Sequence, residues 1–204
     1  DQPRSRGLGD VYKRQIQMGF YAMGSHDIVQ GTNCPIQDEG NNIIAQACYQ
    51  IAKEFDIEPY DEHTGKGVLR HVIGRIGQSG WMIILVTATE HLPHQEKWVE
   101  KLTERVPQVE TIVHNVNGKR TNVILGPKNS VLYGDGTITD HIKDLRFTLS
   151  PHSFFQVNPE QTTVLYDQAL AYADLKGTEI VIDAYCGTGT ISLFLACLLY
   201  TSPS

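Results

Sequence analysis

A short apolar run followed at once by two closely spaced glycines constrains the fold of this chain more than any other feature. The run 180–182 (Ile-Val-Ile) precedes the stretch Asp183-Ala-Tyr-Cys-Gly-Thr-Gly-Thr190, and an apolar helical pattern begins at Ile191. A continuous apolar run of this length is typical of a strand buried in a parallel sheet, and glycines allow a tight turn where that strand ends. The sequence therefore predicts strand, glycine turn and helix, the opening unit of a Rossmann-type domain.

The glycine turn predicts a bound cofactor. Gly187 and Gly189 would let a ligand approach bare backbone amides at the start of a helix. The dinucleotide pattern needs a third glycine, and Ser192 occupies that place, which weakens the NAD interpretation. S-adenosylmethionine has no pyrophosphate and tolerates an acid, Asp183, at the strand end. From the motif alone, a methyl donor, a dinucleotide and a purely structural turn stay open. We interpret Cys186 as packing rather than as a nucleophile, because a loop shaped for a cofactor leaves little room for a substrate.

Periodicity elsewhere predicts a mixed α/β domain ahead of that unit. Helices are predicted at 42–55, 93–105 and from 159 to about 175, a bent strand or hairpin at 16–29, and strands at 68–76, 81–89, 109–116, 122–125 and around Val131, Ile138 and Phe147. The helix at 42–55 places Cys48 on its buried face, and Asn117-Gly118 predicts a hairpin turn. The pattern changes near Leu149, so we predict a central mixed α/β domain at 16–149 and the truncated start of a Rossmann-like domain at 150–196.

The two ends are predicted not to belong to the fold. Residues 10–15 and 197–201 can be encoded by one DNA sequence and its reverse complement, as expected of a sequencing adaptor on both sides of a fragment. We therefore interpret residues 1–15 as an adaptor-derived leader and residues 197–204 as an adaptor-derived tail. The native termini would then be missing, and catalytic residues that are absent do not count against an enzyme.

Composition excludes several classes of protein. With 17 basic and 23 acidic residues the net charge is -6, so no global positive field draws the chain onto nucleic acid, and any RNA contact must be local. The longest apolar run of the body, 81–88, is far shorter than the ~20 residues that cross a bilayer. The 4 cysteines lack paired spacing, which favours a reducing cytoplasm over a disulfide framework.

Two further places could carry chemistry. Arg70 and His71 belong to the densest basic patch and alternate across the faces of a predicted strand. A phosphate contact and a solvated, charged strand edge are both open interpretations. Cys34, a lone thiol before Pro35, is read from the residues alone as a buried loop residue.

Taken together, these segments resemble the 23S rRNA (uracil-5-)-methyltransferases, the RNA m5U methyltransferases, over residues 19–196. The motifs that carry the resemblance are Gly19-Phe-Tyr21, Asn33-Cys-Pro-Ile-Gln37, Leu69-Arg-His71, Thr121-Asn-Val-Ile-Leu-Gly126, Ser150-Pro-His-Ser-Phe-Phe-Gln-Val-Asn158 and Asp183-Ala-Tyr-Cys-Gly-Thr-Gly-Thr-Ile191. The resemblance implies a central α/β domain associated with RNA binding, where Arg70 and His71 would lie. It also implies that residues 150–196 begin an S-adenosylmethionine-dependent methyltransferase domain.

The same resemblance assigns the cofactor site. It implies that Gln156 binds S-adenosylmethionine and that Tyr185 and Thr190 contact it from the glycine loop, together with Asp183, Gly187 and Gly189. Thr190 stands where some relatives have asparagine. Cys34 falls where many members place the last of four cysteines that hold a four-iron four-sulfur cluster. Its three companions would lie upstream of Ile16, so this fragment could not build the cluster.

The reaction implied is methylation of a uridine at C5 in 23S rRNA, through a covalent adduct between a cysteine and C6. The nucleophilic cysteine and the basic glutamate would lie beyond Ala196, so no catalytic residue is assigned and the fragment is expected to be inactive. We expect a monomeric, cytoplasmic protein without membrane contact. The alternatives are a tRNA (uracil-5-)-methyltransferase, a non-catalytic RNA-binding module and a dinucleotide oxidoreductase.

Overall fold

The computed structural model describes residues 16–31 and 33–200, and for 198–200 the backbone only. The predicted leader, Thr32 and residues 201–204 of the predicted tail lie outside the described residues. The chain divides into two compact units, the first at 16–76 and 81–136, the second at 77–80 and from 137 onward. Within the described part, none of the helices is both long and apolar enough to cross a membrane.

The first unit is a mixed sheet with two helices and a small hairpin. Its elements are β1 (Gly19–Tyr21), β2 (Ile28–Gln30), α1 (Glu39–Glu54), β3 (Leu69–Ile76), β4 (Trp81–Thr87), α2 (Gln95–Arg105), β5 (Val109–Val116) and β6 (Lys128–Tyr133). Strands β1 and β2 pair with each other, and the sheet has the order β3-β4-β5-β6. Within this sheet, β4 and β5 are the parallel pair, and helix α2 supplies the crossover that a parallel pair requires. The predicted α/β class is confirmed.

The core of this unit lies between the sheet and the two helices. Helix α1 begins at an N-cap, Asp38, whose carboxylate accepts a hydrogen bond from the N–H of Gly40. Cys48 on α1 and Trp98 and Leu102 on α2 are fully buried, which confirms the helical periods read from the sequence. A Cβ added to Gly40 would lie 2.7 Å from Ile76 Cδ1, so this glycine lets α1 approach the sheet.

The connection between β5 and β6 differs from the tight hairpin predicted at Asn117-Gly118. Val116 pairs with Lys128, and residues 117–127 form a long loop with no strand at 122–125. The amide of Asn117 donates to the carbonyls of Val123 (2.6 Å) and Ile124 (2.9 Å). These side-chain bonds replace the strand pairing that the turn signal suggested.

The second unit contains β7 (Ile138–Ile142), β8 (Leu145–Leu149), α3 (Pro159–Ala173) and α4 (Thr190–Tyr200). Strands β7 and β8 form an antiparallel pair. Helix α3 begins as predicted, with Pro159 at its first position and with Asn158 accepting a hydrogen bond from the N–H of Gln161 at 3.1 Å. The hairpin β7–β8 belongs to the same compact unit as these helices, whereas the predicted domain boundary at 149 lies after it.

The strand predicted before the glycine turn does not form. Residues 179–183 have no regular structure, and Ile180 and Ile182 are 93% and 85% exposed. A parallel strand exists only through hydrogen bonds with a neighbour, and none of the described strands lies beside this segment. The Glu179 carboxylate instead accepts hydrogen bonds from the N–H groups of Lys176 and Gly177, which lowers its pKa and favours a local turn.

Candidate functional site

The Asp183 carboxylate fixes the shape of the glycine turn through two hydrogen bonds. Its Oδ1 accepts a hydrogen bond from the backbone N–H of Tyr185 at 3.2 Å, and its Oδ2 accepts one from the Ser192 hydroxyl at 2.6 Å. The serine that stands in place of the third glycine of the dinucleotide pattern therefore has a structural partner. A carboxylate has about four lone-pair sites, so Asp183 can still accept a bond from a ligand.

Gly187 and Gly189 give the turn its bare backbone. Their φ angles, 54° and 75°, lie in the left-handed region that favours glycine. A Cβ at Gly187 would meet nothing within 4 Å, and one at Gly189 would meet only Leu193 Cδ1, at 4.0 Å. Helix α4 follows directly, and the N–H groups of a first helical turn have no partners within the helix. An open turn of this kind can accept the polar groups of a ligand.

Tyr185 and Cys186 project from the turn. The ring of Tyr185 is 97% exposed and is free to stack on a ligand. Cys186 is also exposed, so the packing role predicted for it is wrong. Its Sγ lies 3.9 Å from the carbonyl oxygen of Gly187.

Thr190 is anchored rather than free. Its hydroxyl lies 2.8 Å from the hydroxyl of Tyr166, a buried residue of α3. If Thr190 also contacted the cofactor, as predicted, its hydroxyl would have to bond both the cofactor and Tyr166. The pair joins α3 to the first residue of α4.

The segment 150–158 meets the glycine turn through one hydrogen bond. Thr188 Oγ1 donates to the carbonyl oxygen of Phe154 at 3.1 Å. Phe155 packs its ring on Phe147, with 5.5 Å between centroids, which fixes the segment against β8. The next residue, Gln156, is half-buried, and its side chain forms no hydrogen bond with any described residue. A half-buried amide of this kind is available to a ligand.

Asn42 organises the loop that contains Cys34. Its Oδ1 accepts hydrogen bonds from the backbone N–H of Cys34 at 2.9 Å and from the Gln37 amide at 2.6 Å. Its Nδ2 donates to the Cys34 carbonyl and to Asn33 Oδ1. Asn42 is 7% exposed, so these bonds fix the backbone around the half-buried Cys34.

The described residues do not fit an iron-sulfur cluster. Within 16–31 and 33–200, no group of three or more His, Cys, Asp or Glu side chains could hold a metal ion. Burial raises the pKa of the Cys48 thiol to about 12, so the other cysteine of the first unit stays protonated. The role of Cys34 as a single cluster ligand stays a prediction.

Arg70 is enclosed by its own unit. Its side chain is 1% exposed and pairs with the Glu62 carboxylate at 2.7 Å. Its Nη1 donates to the carbonyls of Asn117 (2.8 Å) and Lys119 (2.9 Å), and the guanidinium lies 4.4 Å above the ring of Tyr60. In this conformation Arg70 is free neither for a phosphate nor as a solvated edge charge. It fixes the loop that follows β5.

His71, the next residue, lines a cleft of about 840 Å³ in the first unit. The walls of the cleft include Tyr21, His26, Glu62, His71 and Asn122. The rings of Tyr21 and His71 meet edge to face at 6.3 Å. Burial and the charge of Arg70 lower the pKa of His71, so its ring is neutral near pH 7 and can donate or accept a hydrogen bond.

Sequence reasoning missed Asn42, Glu62 and Tyr166, because each acts through a partner that is brought close only by folding. The bond between Tyr166 and Thr190 joins residues 24 apart. The sequence contained one indication of the role of Tyr166, its spacing from Thr162. Tyr166 lies four residues after Thr162 on a helix, and both are buried. Buried polar groups at such spacing require partners.

Comparison with known proteins relates the chain to enzymes. No protein-family model matches it. The chain is 51% identical over 180 residues to an uncharacterized RNA methyltransferase of Halalkalibacterium halodurans, covering 87% of this chain and 39% of that protein. It is 49% identical over 185 residues to one of Oceanobacillus iheyensis and 48% identical over 186 residues to one of Clostridium tetani, covering 89% and 90% of this chain and 40% of each relative. The chain thus spans about two fifths of the length of these relatives.

A solved structure shares the fold. The tRNA (uracil-54, C5)-methyltransferase of Pyrococcus abyssi, solved with S-adenosyl-L-homocysteine, matches with a TM-score of 0.72. The match covers 89% of this chain and 44% of that one, at 23% identity. The α/β fold predicted from the sequence is therefore that of a known methyltransferase.

Proposed function

The chain belongs to the family of RNA methyltransferases that it matches, and on that premise we propose that it binds S-adenosylmethionine at the glycine turn of its second unit. The observation that carries the proposal is the open turn itself. Beyond the adjacent residues, no atom lies closer than 4.0 Å to the place of a Cβ at Gly187 or Gly189, and the amide of Gln156 has no partner among the described residues. The exposed Tyr185 ring borders the same turn.

The residues present fit this cofactor in three respects. Gln156 and the amides of the turn can hydrogen-bond its amino acid and ribose groups, and Tyr185 can stack on its adenine. Asp183 can accept from a ribose hydroxyl while it keeps the bonds that shape the turn. When bound, S-adenosylmethionine supplies a methyl group activated by its sulfonium. The role proposed for these residues is to orient that methyl.

We propose that the acceptor is C5 of a uridine in RNA. Uracil C5 is a weak nucleophile, so a cysteine thiolate first adds to C6. The resulting enolate then attacks the sulfonium methyl through its C5, and the S–CH3 bond breaks to release S-adenosylhomocysteine. A base then removes the C5 proton, and the thiolate leaves. The target uracil must leave the stacked bases of the RNA before the enzyme can reach it. We assign neither the thiolate nor the base to a residue of this chain, and Cys186 is not a candidate, because its position belongs to the donor turn.

The cleft beside His71 is the proposed RNA contact. The neutral His71 ring and the Tyr21 ring offer hydrogen bonding and stacking to an unpaired base. Lys119 and Arg120, exposed residues directly before the cleft residues Thr121 and Asn122, add positive charge near its edge. We propose 23S rRNA as the substrate on the strength of the motif resemblance. A tRNA is the second candidate, because the structural relative acts on tRNA. Action of the whole protein as a monomer in the cytoplasm also stays a prediction.

Calorimetric titration of the chain tests the donor site. S-adenosylmethionine should bind, and NAD should not. Gln156→Ala should weaken the binding about three- to tenfold, the loss expected for one hydrogen bond. Gln168→Ala, an exposed amide on α3, is the matched control and should leave the affinity unchanged. Binding of NAD alone would contradict the proposal.

RNA binding is tested by filter retention of transcripts of 23S rRNA and of tRNA. His71→Ala should weaken retention of the preferred transcript, whereas the same substitution at the exposed His152 should not. Tighter retention of tRNA than of 23S rRNA would replace the first candidate substrate with the second. Equal retention by His71→Ala and the unaltered chain would remove the cleft from the proposal.

A further inference from the structure

Thr190 begins helix α4, and the hydroxyl that holds it comes from a different helix. Tyr166 Oη lies 2.8 Å from Thr190 Oγ1, and Tyr166 is 6% exposed. We infer that Tyr166 is a positioning residue for the methyl donor, because it fixes the start of α4 and with it the backbone of the glycine turn. This inference rests on the proposed binding of S-adenosylmethionine.

Tyr166 is itself held from several sides. Its ring meets the ring of Phe194 on α4 at 5.5 Å with an interplanar angle of 65°. Phe194 is 2% exposed, and Lys143 Nζ lies 5.0 Å from its ring centre. Lys143, in the turn between β7 and β8, also pairs with Asp167, the neighbour of Tyr166 on α3. The phenol therefore presents its hydroxyl to Thr190 from a fixed position.

An anchor of this kind stabilises the glycine turn, whose own residues restrict the backbone conformation only weakly. Gly187 and Gly189 can adopt many backbone conformations, and a ligand that orders them must overcome that entropy. Inside the turn, the N–H of Gly189 donates to the carbonyl of Cys186 at 2.7 Å, and the carbonyl of Gly189 accepts from the N–H of Leu193 at 2.9 Å. Thr190 directly follows Gly189, so fixing Thr190 also holds the glycine turn in the conformation that binds its ligand.

Thr190 therefore acts through Tyr166 rather than as a cofactor contact. A hydroxyl at position 190 is needed as the partner of the phenol, and threonine or serine can supply it. Thr188 serves the turn differently, since its hydroxyl reaches the carbonyl of Phe154. The two anchors, one on each side of Gly189, tie the turn to α3 and to the segment that carries Gln156.

The test is calorimetric titration of S-adenosylmethionine into the full chain and its variants. Tyr166→Phe, which keeps the ring and its packing, should weaken binding about three- to tenfold, as expected for one lost hydrogen bond. Thr190→Val should cause a similar loss, and Thr190→Ser should retain the affinity. Tyr172→Phe removes the same group from an 82% exposed position of the same helix and should change nothing.

A double-mutant cycle separates positioning from general stability. Tyr166→Phe combined with Thr190→Val should bind about as well as either single variant, because both remove one interaction. In the absence of ligand, the backbone amide resonances of Gly187 and Gly189 should shift in Tyr166→Phe and not in Tyr172→Phe. If Tyr166→Phe loses its cooperative thermal unfolding, the comparison of Thr190→Val with Thr190→Ser decides the question.

An unchanged affinity of folded Tyr166→Phe, or losses that add in the double variant, would overturn the inference alone. Equal affinity of Thr190→Val and Thr190→Ser would do the same. Failure of the unaltered chain to bind S-adenosylmethionine would instead overturn the proposed donor site, and this inference with it.

Discussion

At the scale of single residues, Arg70 is held by partners that lie far from it in the chain. It pairs with Glu62 and donates to the carbonyls of Asn117 and Lys119, while both Arg70 and the adjacent His71 line the cleft of the first unit. Alternation along a strand predicted that the two side chains face opposite ways, but the register of β3 shifts between Leu69 and His71, so regular alternation does not hold at this step. The partners of Arg70 at 117 and 119 lie beyond β4, α2 and β5 in the chain, so no local pattern could have indicated them.

The Arg70–Glu62 pair should be important for folding. Arg70→Ala leaves the Glu62 carboxylate, 15% exposed, without its cation, and the expected loss in free energy of unfolding is about 3–5 kcal/mol. Urea denaturation measures it. Arg70→Met combined with Glu62→Leu should recover much of the loss, since neither charge is then left unpaired. A loss within about 0.5 kcal/mol for Arg70→Ala, as at ordinary surface positions, would show that the pair does not stabilise the fold.

At the scale of elements, helices with a complete buried face were predictable and the strand before the glycine turn was not. The periods that placed Cys48, Trp98 and Leu102 inside are local properties of one helix. The apolar segment 179–183 carries the composition of a strand, but a strand depends on neighbours that a single segment cannot specify. The glycine turn itself was predictable, because positive φ angles at 187 and 189 require the residue type that the sequence shows.

Gly40 tests how closely α1 packs on the sheet. Gly40→Ala gains about 1 kcal/mol of helix propensity. The new methyl would lie 2.7 Å from Ile76 Cδ1 and 2.9 Å from the Trp81 ring, and such overpacking costs about 1–3 kcal/mol. Because the second effect is the larger, thermal unfolding should show net destabilisation. Gln50→Ala, at an exposed position of the same helix, is the control, and a stabilised Gly40→Ala would contradict the close approach.

At the scale of the whole molecule, both units expose single apolar side chains, such as Met23 and Ile36 in the first, and the second also exposes a consecutive apolar segment, 180–182. The first buries β4 almost completely, from Met82 to Thr87. The second leaves Ile180, Ile182 and Tyr185 between 85% and 97% exposed. Apolar segments exposed in this way promote association between molecules.

We expect the chain to self-associate through the segment 180–182 as its concentration rises. Ile180→Lys combined with Ile182→Lys should lower the mean mass measured by light scattering, because charge on an exposed apolar segment opposes association. Val29→Lys, at a 61% exposed position of the first unit, is the comparison and should have a smaller effect. An equal mean mass for the double variant and the unaltered chain would place the association elsewhere.

The bond between Ser192 and Asp183 limits how this turn can change during evolution. A lineage that acquired glycine at 192 would deprive the carboxylate of a donor, and one that lost the acid at 183 would leave the serine hydroxyl without its acceptor. Substitutions at the two positions should therefore be correlated among descendants. Conversion of this turn into one suited to a dinucleotide would then require two coordinated mutations.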